Sequence, residues 1–197
     1  MAADYGQLAE NLRWFYDFTG KVVLFVGGGR KATARSLHQS QEADCHDRDV
    51  ESLIELKTNV ATGVRGSVVV VVPTFEEVTW GGDVVYFEFC LHEMADPQKA
   101  LTHARSLAAD IVVLDHLPDS DWVFHVAEED KVRRSTEAIE RFGVRRRATF
   151  RGEQRFRNHA ELLTEVTVQG AIALERAQRF AGALNIVIPM TYELALL

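Results

Sequence analysis

Two cysteines in 197 residues cannot build a disulfide framework, so the chain must be held together by a buried core. Prolines number only four, and no repeat, low-complexity tract or Pro-rich linker marks a domain boundary. No uninterrupted apolar run exceeds six residues, too few to cross a bilayer as a helix. The opening stretch MAADYGQLAENLRWFYDF carries acids early and lacks a basic flank with an apolar segment. No leader is therefore expected there, and the expected location is cytoplasmic. Neither a Gly-x-Ser-x-Gly elbow nor a Gly-Lys-Ser/Thr phosphate loop is present. Cys45-His46-Asp47 and Cys90-x-His92 lack structural-zinc spacing, and no metal is expected.

Positive charge is also in short supply. Lys and Arg total 22 against 29 Asp and Glu, a net charge of −7, which disfavours nucleic acid as a partner. Residues 133–157 are the exception, with nine arginines against Glu137, Glu140 and Glu153. That local balance of +6 leaves −13 on the remainder. The stretch reads as a solvated helix face paired with acids elsewhere. If it folds over a pocket instead, Arg145, Arg146 and Arg147 would favour an anionic acceptor.

What is present is an alternation. Residues 4–18 place Leu8, Leu12, Phe15 and Tyr16 at helical spacing, and Gly20 ends that helix. Four continuous apolar runs follow at 21–26, 67–72, 83–89 and 110–115, as expected of strands covered on both faces of a parallel sheet. EADCHD (42–47) is a polar strand among them. Helices are expected over DVESLIELKTNV (49–60), over DPQKALTHARSLA with Asp96 as N-cap and Pro97 at its first position, and near 128–142. AIALERAQ (171–178) and LNIVIPMTYELALL (184–197) read as a closing antiparallel hairpin across the loop RFAGA. The fold class is α/β, a doubly wound and mostly parallel sheet. One domain over 1–197 is expected, with an N-terminal helix (1–19), a cofactor-binding core (20–122) and a lid with the last strands (123–197).

Open α/β sheets bind ligands at the carboxyl ends of their strands. KVVLFVGGGRKATA (21–34) runs from a strand through Gly27, Gly28 and Gly29 into a helix-like segment, a cradle for a nucleoside cofactor. Gly27, Gly29 and Ala32 fit a dinucleotide fingerprint, and the same turn fits another cofactor class. The downstream segment GDVVYFEFCLHEMADPQKALTHARSLAADIVVLDHLPDSDW (82–122) separates the two. Asp83, Leu91-His92, Asp96-Pro97, Arg105-x-Leu107 and Asp115 resemble, in order, the fourth strand to fifth strand of class I S-adenosylmethionine-dependent methyltransferases. The similarity is strongest to the small-molecule, ubiquinone-biosynthesis-type branch, and it spans residues 21 to about 122.

That resemblance implies a Rossmann-like fold and S-adenosylmethionine as cofactor. It places Gly27, Gly28 and Gly29 at the amino-acid end of the cofactor and Asp47 on the ribose hydroxyls. Thr74 would lie near the adenine with Phe75 packed on its ring, and Glu88 and Phe89 would line the edge. The family's acid two residues before the first glycine is Phe25 here, and its third glycine is Lys31. His92 is the expected general base, because its pKa suits proton transfer and it follows the fourth strand. Asp115, His116 and Trp122 are expected at a small-molecule acceptor, with His125, Glu128 and Glu129 on a lid. Two other readings stay open: a methyltransferase-like domain that binds without turnover, motivated by Phe25 and Thr74, and an NAD(P)-dependent reductase.

Overall fold

The computed structural model describes residues 5–27, 42–46, 68–70 and 75–197. Helix α1 (Tyr5–Phe15) is followed by strands β1 (Val22–Val26), β2 (Glu42–His46), β3 (Val68–Val70) and β4 (Val84–Glu88). Then come α2 (Pro97–Leu107), β5 (Asp110–His116), α3 (Asp121–His125) and α4 (Glu129–Phe142). The chain closes with β6 (Arg146–Asn158), α5 (His159–Val166), α6 (Ala171–Ala177) and β7 (Leu184–Leu196). The helix expected at 49–60 lies outside the described residues.

Seven described strands form one sheet in the order β3-β2-β1-β4-β5-β7-β6. The first five are mutually parallel, and β7 runs antiparallel to both β5 and β6. Strands β1 and β4 are neighbours although the chain passes through β2 and β3 between them, so the strand order reverses there. Ligands bind at such a reversal, beyond the carboxyl ends of the strands.

Alternate residues of the central strands feed two cores, which is why their apolar runs are continuous. Val23, Phe25, Val84, Tyr86, Val112 and Leu114 pack against Leu8, Leu12 and Phe15 of α1. Leu24, Val26, Val85, Phe87, Ile111 and Val113 face Leu101 and Ala104 of α2 and Ala138 and Ile139 of α4. Strand β7 shows the rule changing within one element. Its Ile186, Ile188 and Met190 are buried and the residues between them exposed, whereas Tyr192 to Ala195 are all buried. Only the latter part pairs with β5. The former runs past the end of β5 as a two-stranded ribbon with β6. Beneath that ribbon a third core gathers Phe156, Ile186 and Ile188 with Val126, Leu162, Val166, Ala173 and Ala177.

Two expectations are corrected here. Residues 171–177 form helix α6 rather than a strand: Ala, Leu, Glu and Arg are strong helix formers, and Ala173 and Ala177 bury one face at i, i+4 spacing. The partner of β7 is instead β6, and helices α5 and α6 lie between the two strands. The arginine-rich stretch is therefore helix only as far as Phe142, and strand from Arg146 onward.

Arg145, Arg146 and Arg147 are each paired within the fold, whereas Arg155 and Arg157 line a cavity of about 240 Å³. Arg145 reaches Asp110 at 2.6 Å, Arg146 donates to the Phe15 carbonyl and lies over the Trp14 ring, and Arg147 contacts buried Glu193 at 2.7 Å and Glu140 at 2.5 Å. Arg146 stands opposite Leu196, which pairs with Val112 near the start of β5. These three residues thus lie at the sheet edge opposite the strand carboxyl ends, and they give no support to an anionic acceptor.

The Asp96 carboxylate accepts a hydrogen bond from Lys99 N at 3.0 Å, with Pro97 at the first helical position. Asp96→Ala should lower stability by about 1 kcal/mol, and Asp96→Asn should retain most of it. Urea unfolding of both variants measures the difference.

Candidate active site

A buried polar cluster gathers at the carboxyl ends of β4 and β5, beside the end of β1. Gly27 ends β1 with φ of +83°, a conformation that favours glycine. A Cβ there would collide with the Cys90 side chain and the Glu88 carbonyl, so the close approach of the two strand ends also requires glycine. The Cys90 thiol donates to the Val26 carbonyl at 3.2 Å. Phe89 takes a positive φ of 46°, and its ring lies 4.6 Å from that of His116. Strained non-glycine backbone of this kind persists only where its surroundings hold it in place.

At the centre is Asp115, the penultimate residue of β5, which is 1% exposed. One oxygen accepts from His92 Nδ1 at 2.5 Å and from His116 N at 2.9 Å. The other accepts from His92 N at 3.1 Å and from Ser135 Oγ of α4 at 3.0 Å. A carboxylate only accepts, so Nδ1 of His92 carries the proton of that bond. The other ring nitrogen, Nε2, faces Glu128 Oε2 at 3.5 Å and Glu93 Oε1 at 3.7 Å. Lys131 closes the chain, with Nζ 2.8 Å from Glu93 Oε2 and 3.0 Å from Glu128 Oε1.

Electrostatics sort these groups. Burial alone would lower the His92 pKa, but Asp115 and Glu128 outweigh it and raise it to about 10. Burial would likewise raise Asp115, but the His92 charge keeps it below the usual carboxylate range. Glu128 is also held low against burial, by its hydrogen bond to His92. For His116, burial and the neighbouring His92 cation act together and push the pKa down to about 4. The site thus holds one cationic and one neutral imidazole, with ring centroids 5.7 Å apart.

These placements alter several expected roles. Asp115, expected at the acceptor, has its oxygens taken up by four hydrogen bonds and is sealed from solvent. Phe75 is a core residue, with its ring against Phe87 and His103 under α2. Trp122 stacks on Phe156, and Glu129 pairs with Arg176 at 2.6 Å. His125 packs against Phe124 and Phe180 and lines a separate cavity of about 190 Å³ beside Arg179 and Pro189. Glu88 is buried at the end of β4. Gly28, Gly29, Asp47 and Thr74 lie outside the described residues. Sequence reasoning missed Ser135, Glu93 and Lys131; the runs His92-Glu93 and Glu128-Glu129-Asp130-Lys131 were the available signal.

No family model matches the chain, and no curated protein matches it in sequence. Solved structures do match. A candidate methyltransferase from Bacillus halodurans C-125 aligns over 97% of this chain and 98% of its own, with a TM-score of 0.70 at 12% identity. A candidate RNA methyltransferase from Pyrococcus horikoshii covers 97% of this chain and 82% of its own, with a TM-score of 0.63 at 18% identity. Magnesium protoporphyrin IX methyltransferase from Synechocystis PCC 6803, with S-adenosylhomocysteine bound, covers 97% and 81%, with a TM-score of 0.56 at 11% identity. The chain has the class I methyltransferase fold. In this methyltransferase fold the Asp115–His92 pair joins the end of β5 to the turn after β4, beside the point where the strand order reverses.

Asp115→Ala should destabilise the protein by about 3–5 kcal/mol, because the His92 cation loses its buried partner. Ser135→Ala removes one bond to the same carboxylate and should cost about 1–3 kcal/mol. Denaturant unfolding of the two variants tests that order, and equal losses would contradict it.

Proposed function

We propose that the protein is an S-adenosylmethionine-dependent methyltransferase acting on a small molecule. The observation that carries this reading is the junction of β1 and β4. There Gly27, with positive φ, is pressed against Cys90 where the strand order reverses, a place that admits no side chain. Glycine backbone at that place, in this fold, suits the amino-acid end of the cofactor. Glu88 and Phe89 stand next to it at the end of β4, and Asp47 supplies the ribose contact that the resemblance implies.

Methyl transfer asks little of side chains, because the sulfonium already activates the methyl group. The protein aligns donor and acceptor and excludes water. His92 has one ring nitrogen on Asp115 and the other facing two carboxylates, so its role is to hold the turn after β4 in place. His116, the neutral ring packed on Phe89, is the residue assigned to the acceptor. A small metabolite is favoured over nucleic acid by the net charge of −7 and by the pairing of Arg145, Arg146 and Arg147 within the fold. The alternative of binding without turnover rests on Phe25. Its ring is fully buried and stacked 5.1 Å from Tyr86, so no carboxylate stands at that position.

Calorimetric titration with S-adenosylhomocysteine, with NADH as control, tests the reading. Micromolar binding of the former alone is expected. Asp47→Ala should weaken it about ten- to a hundredfold, the value of one charge-assisted hydrogen bond. Binding of NADH instead would transfer the assignment to a reductase, and binding of neither would overturn the cofactor reading.

A further inference from the structure

We infer that His92, Glu93 and Glu128 form a binding site for one divalent transition-metal ion. One nitrogen of His92 and one oxygen from each carboxylate lie within 4.8 Å of one another. From Nε2 of His92 the distances are 3.5 Å to Glu128 Oε2, the outer limit of a hydrogen bond, and 3.7 Å to Glu93 Oε1, beyond it. They are close to the spacing of donors that share an ion: around a tetrahedral centre with bonds of about 2.1 Å, ligand atoms stand roughly 3.4 Å apart.

A second observation is independent of those three atoms. The other nitrogen of His92 is bound to the buried carboxylate of Asp115, itself fixed by Ser135. Metal-binding histidines are oriented in this way by a carboxylate on the far side of the ring. The backbone N–H of His92 binds Asp115 as well, so the ring is aimed before any ion arrives. Binding displaces the Nε2 proton of the His92 cation to solvent, while Nδ1 keeps its proton on Asp115.

Lys131 does not take the place of the ion. Its ammonium contacts Glu93 Oε2 and Glu128 Oε1, whereas the oxygens that face His92 are Glu93 Oε1 and Glu128 Oε2. The lysine holds the outer oxygens and leaves the inner pair turned toward the histidine. Glu128 and His92 are buried, but the Glu93 side chain is 44% exposed, which gives the ion a path in and leaves coordination positions toward solvent. One imidazole and two carboxylates suit zinc or a neighbouring first-row ion better than magnesium or calcium, which prefer oxygen alone. The site itself does not depend on the methyltransferase reading, since its test uses neither cofactor nor acceptor.

The chelator-treated full chain is titrated with Co²⁺ and followed by visible absorption, and with Zn²⁺ by calorimetry. One ion per chain is expected, with the Co²⁺ absorption of a nitrogen- and oxygen-ligated site. Glu93→Gln, at an exposed position, should keep the thermal unfolding midpoint without metal and weaken binding at least tenfold. Lys131→Met should bind somewhat more tightly. No binding to the wild-type chain would overturn the proposal, as would binding unchanged in Glu93→Gln. Binding by Lys131→Met alone would overturn it too, assigning the place to the lysine ammonium.

Discussion

The 2.5 Å contact between Asp115 and His92 is the constraint on which the carboxyl edge of the sheet depends. Parallel strands end where their backbone ladders end, and the loops beyond need other partners. Asp115 supplies them for three elements at once: the turn after β4 through His92, its own strand end through His116 N, and helix α4 through Ser135. A buried carboxylate is costly without an opposite charge and full hydrogen bonding. Here it has both, so the polar cluster holds the geometry of the edge instead of weakening it.

The charges continue outward in alternation. Asp115 is negative, His92 positive, Glu128 negative, and Lys131 is shared between Glu128 and the half-exposed Glu93. Each step relieves the one before it, and the series ends where water can solvate the last charge. Neutral His116 beside this series is the counterpart of cationic His92: one ring bridges carboxylates, and the other is buried against Phe89 next to the first ring's charge. Two histidines of ordinary pKa are driven apart by their neighbours, a division that commonly marks a functional site.

Much of the fold was legible because local and global signals agreed. Asp96-Pro97 opens a helix in any context, and the runs at 22–26, 84–88 and 110–116 could be continuous only if both faces were covered. Strand β6 was missed because its charge drew attention away from its period. Ala148, Phe150, Gly152, Gln154 and Phe156 alternate with Arg147, Thr149, Arg151, Glu153 and Arg155, the pattern of an edge strand whose outer face meets water. Helix α6 was missed for the opposite reason, since its short apolar stretch fits either period. At the site, His92 and Asp115 were both singled out, but their pairing was not, because 23 residues and a crossover helix separate them. Roles differ from residue types in this respect. A histidine can be recognised from sequence, whereas its charge state depends on what the fold sets against it.

Phe25 shows how far one departure from a motif reaches. Alternation along β1 turns Val23 and Phe25 toward α1 and Leu24 and Val26 toward α2 and α4. An acid at position 25 would have to reach over the end of the strand from the α1 face, but that face is filled by the Phe25–Tyr86 stack and by Phe18 packed edge-on to Tyr86. The α1 core is thereby extended to the last turn before Gly27, and the crevice loses a carboxylate. The register of β1 and β4 puts Val26 beside Phe87, so the next pair of positions is Gly27 and Glu88. Buried Glu88 at the end of β4 is thus the acidic residue that the register sets beside Gly27, so a carboxylate absent from β1 stands on the neighbouring strand.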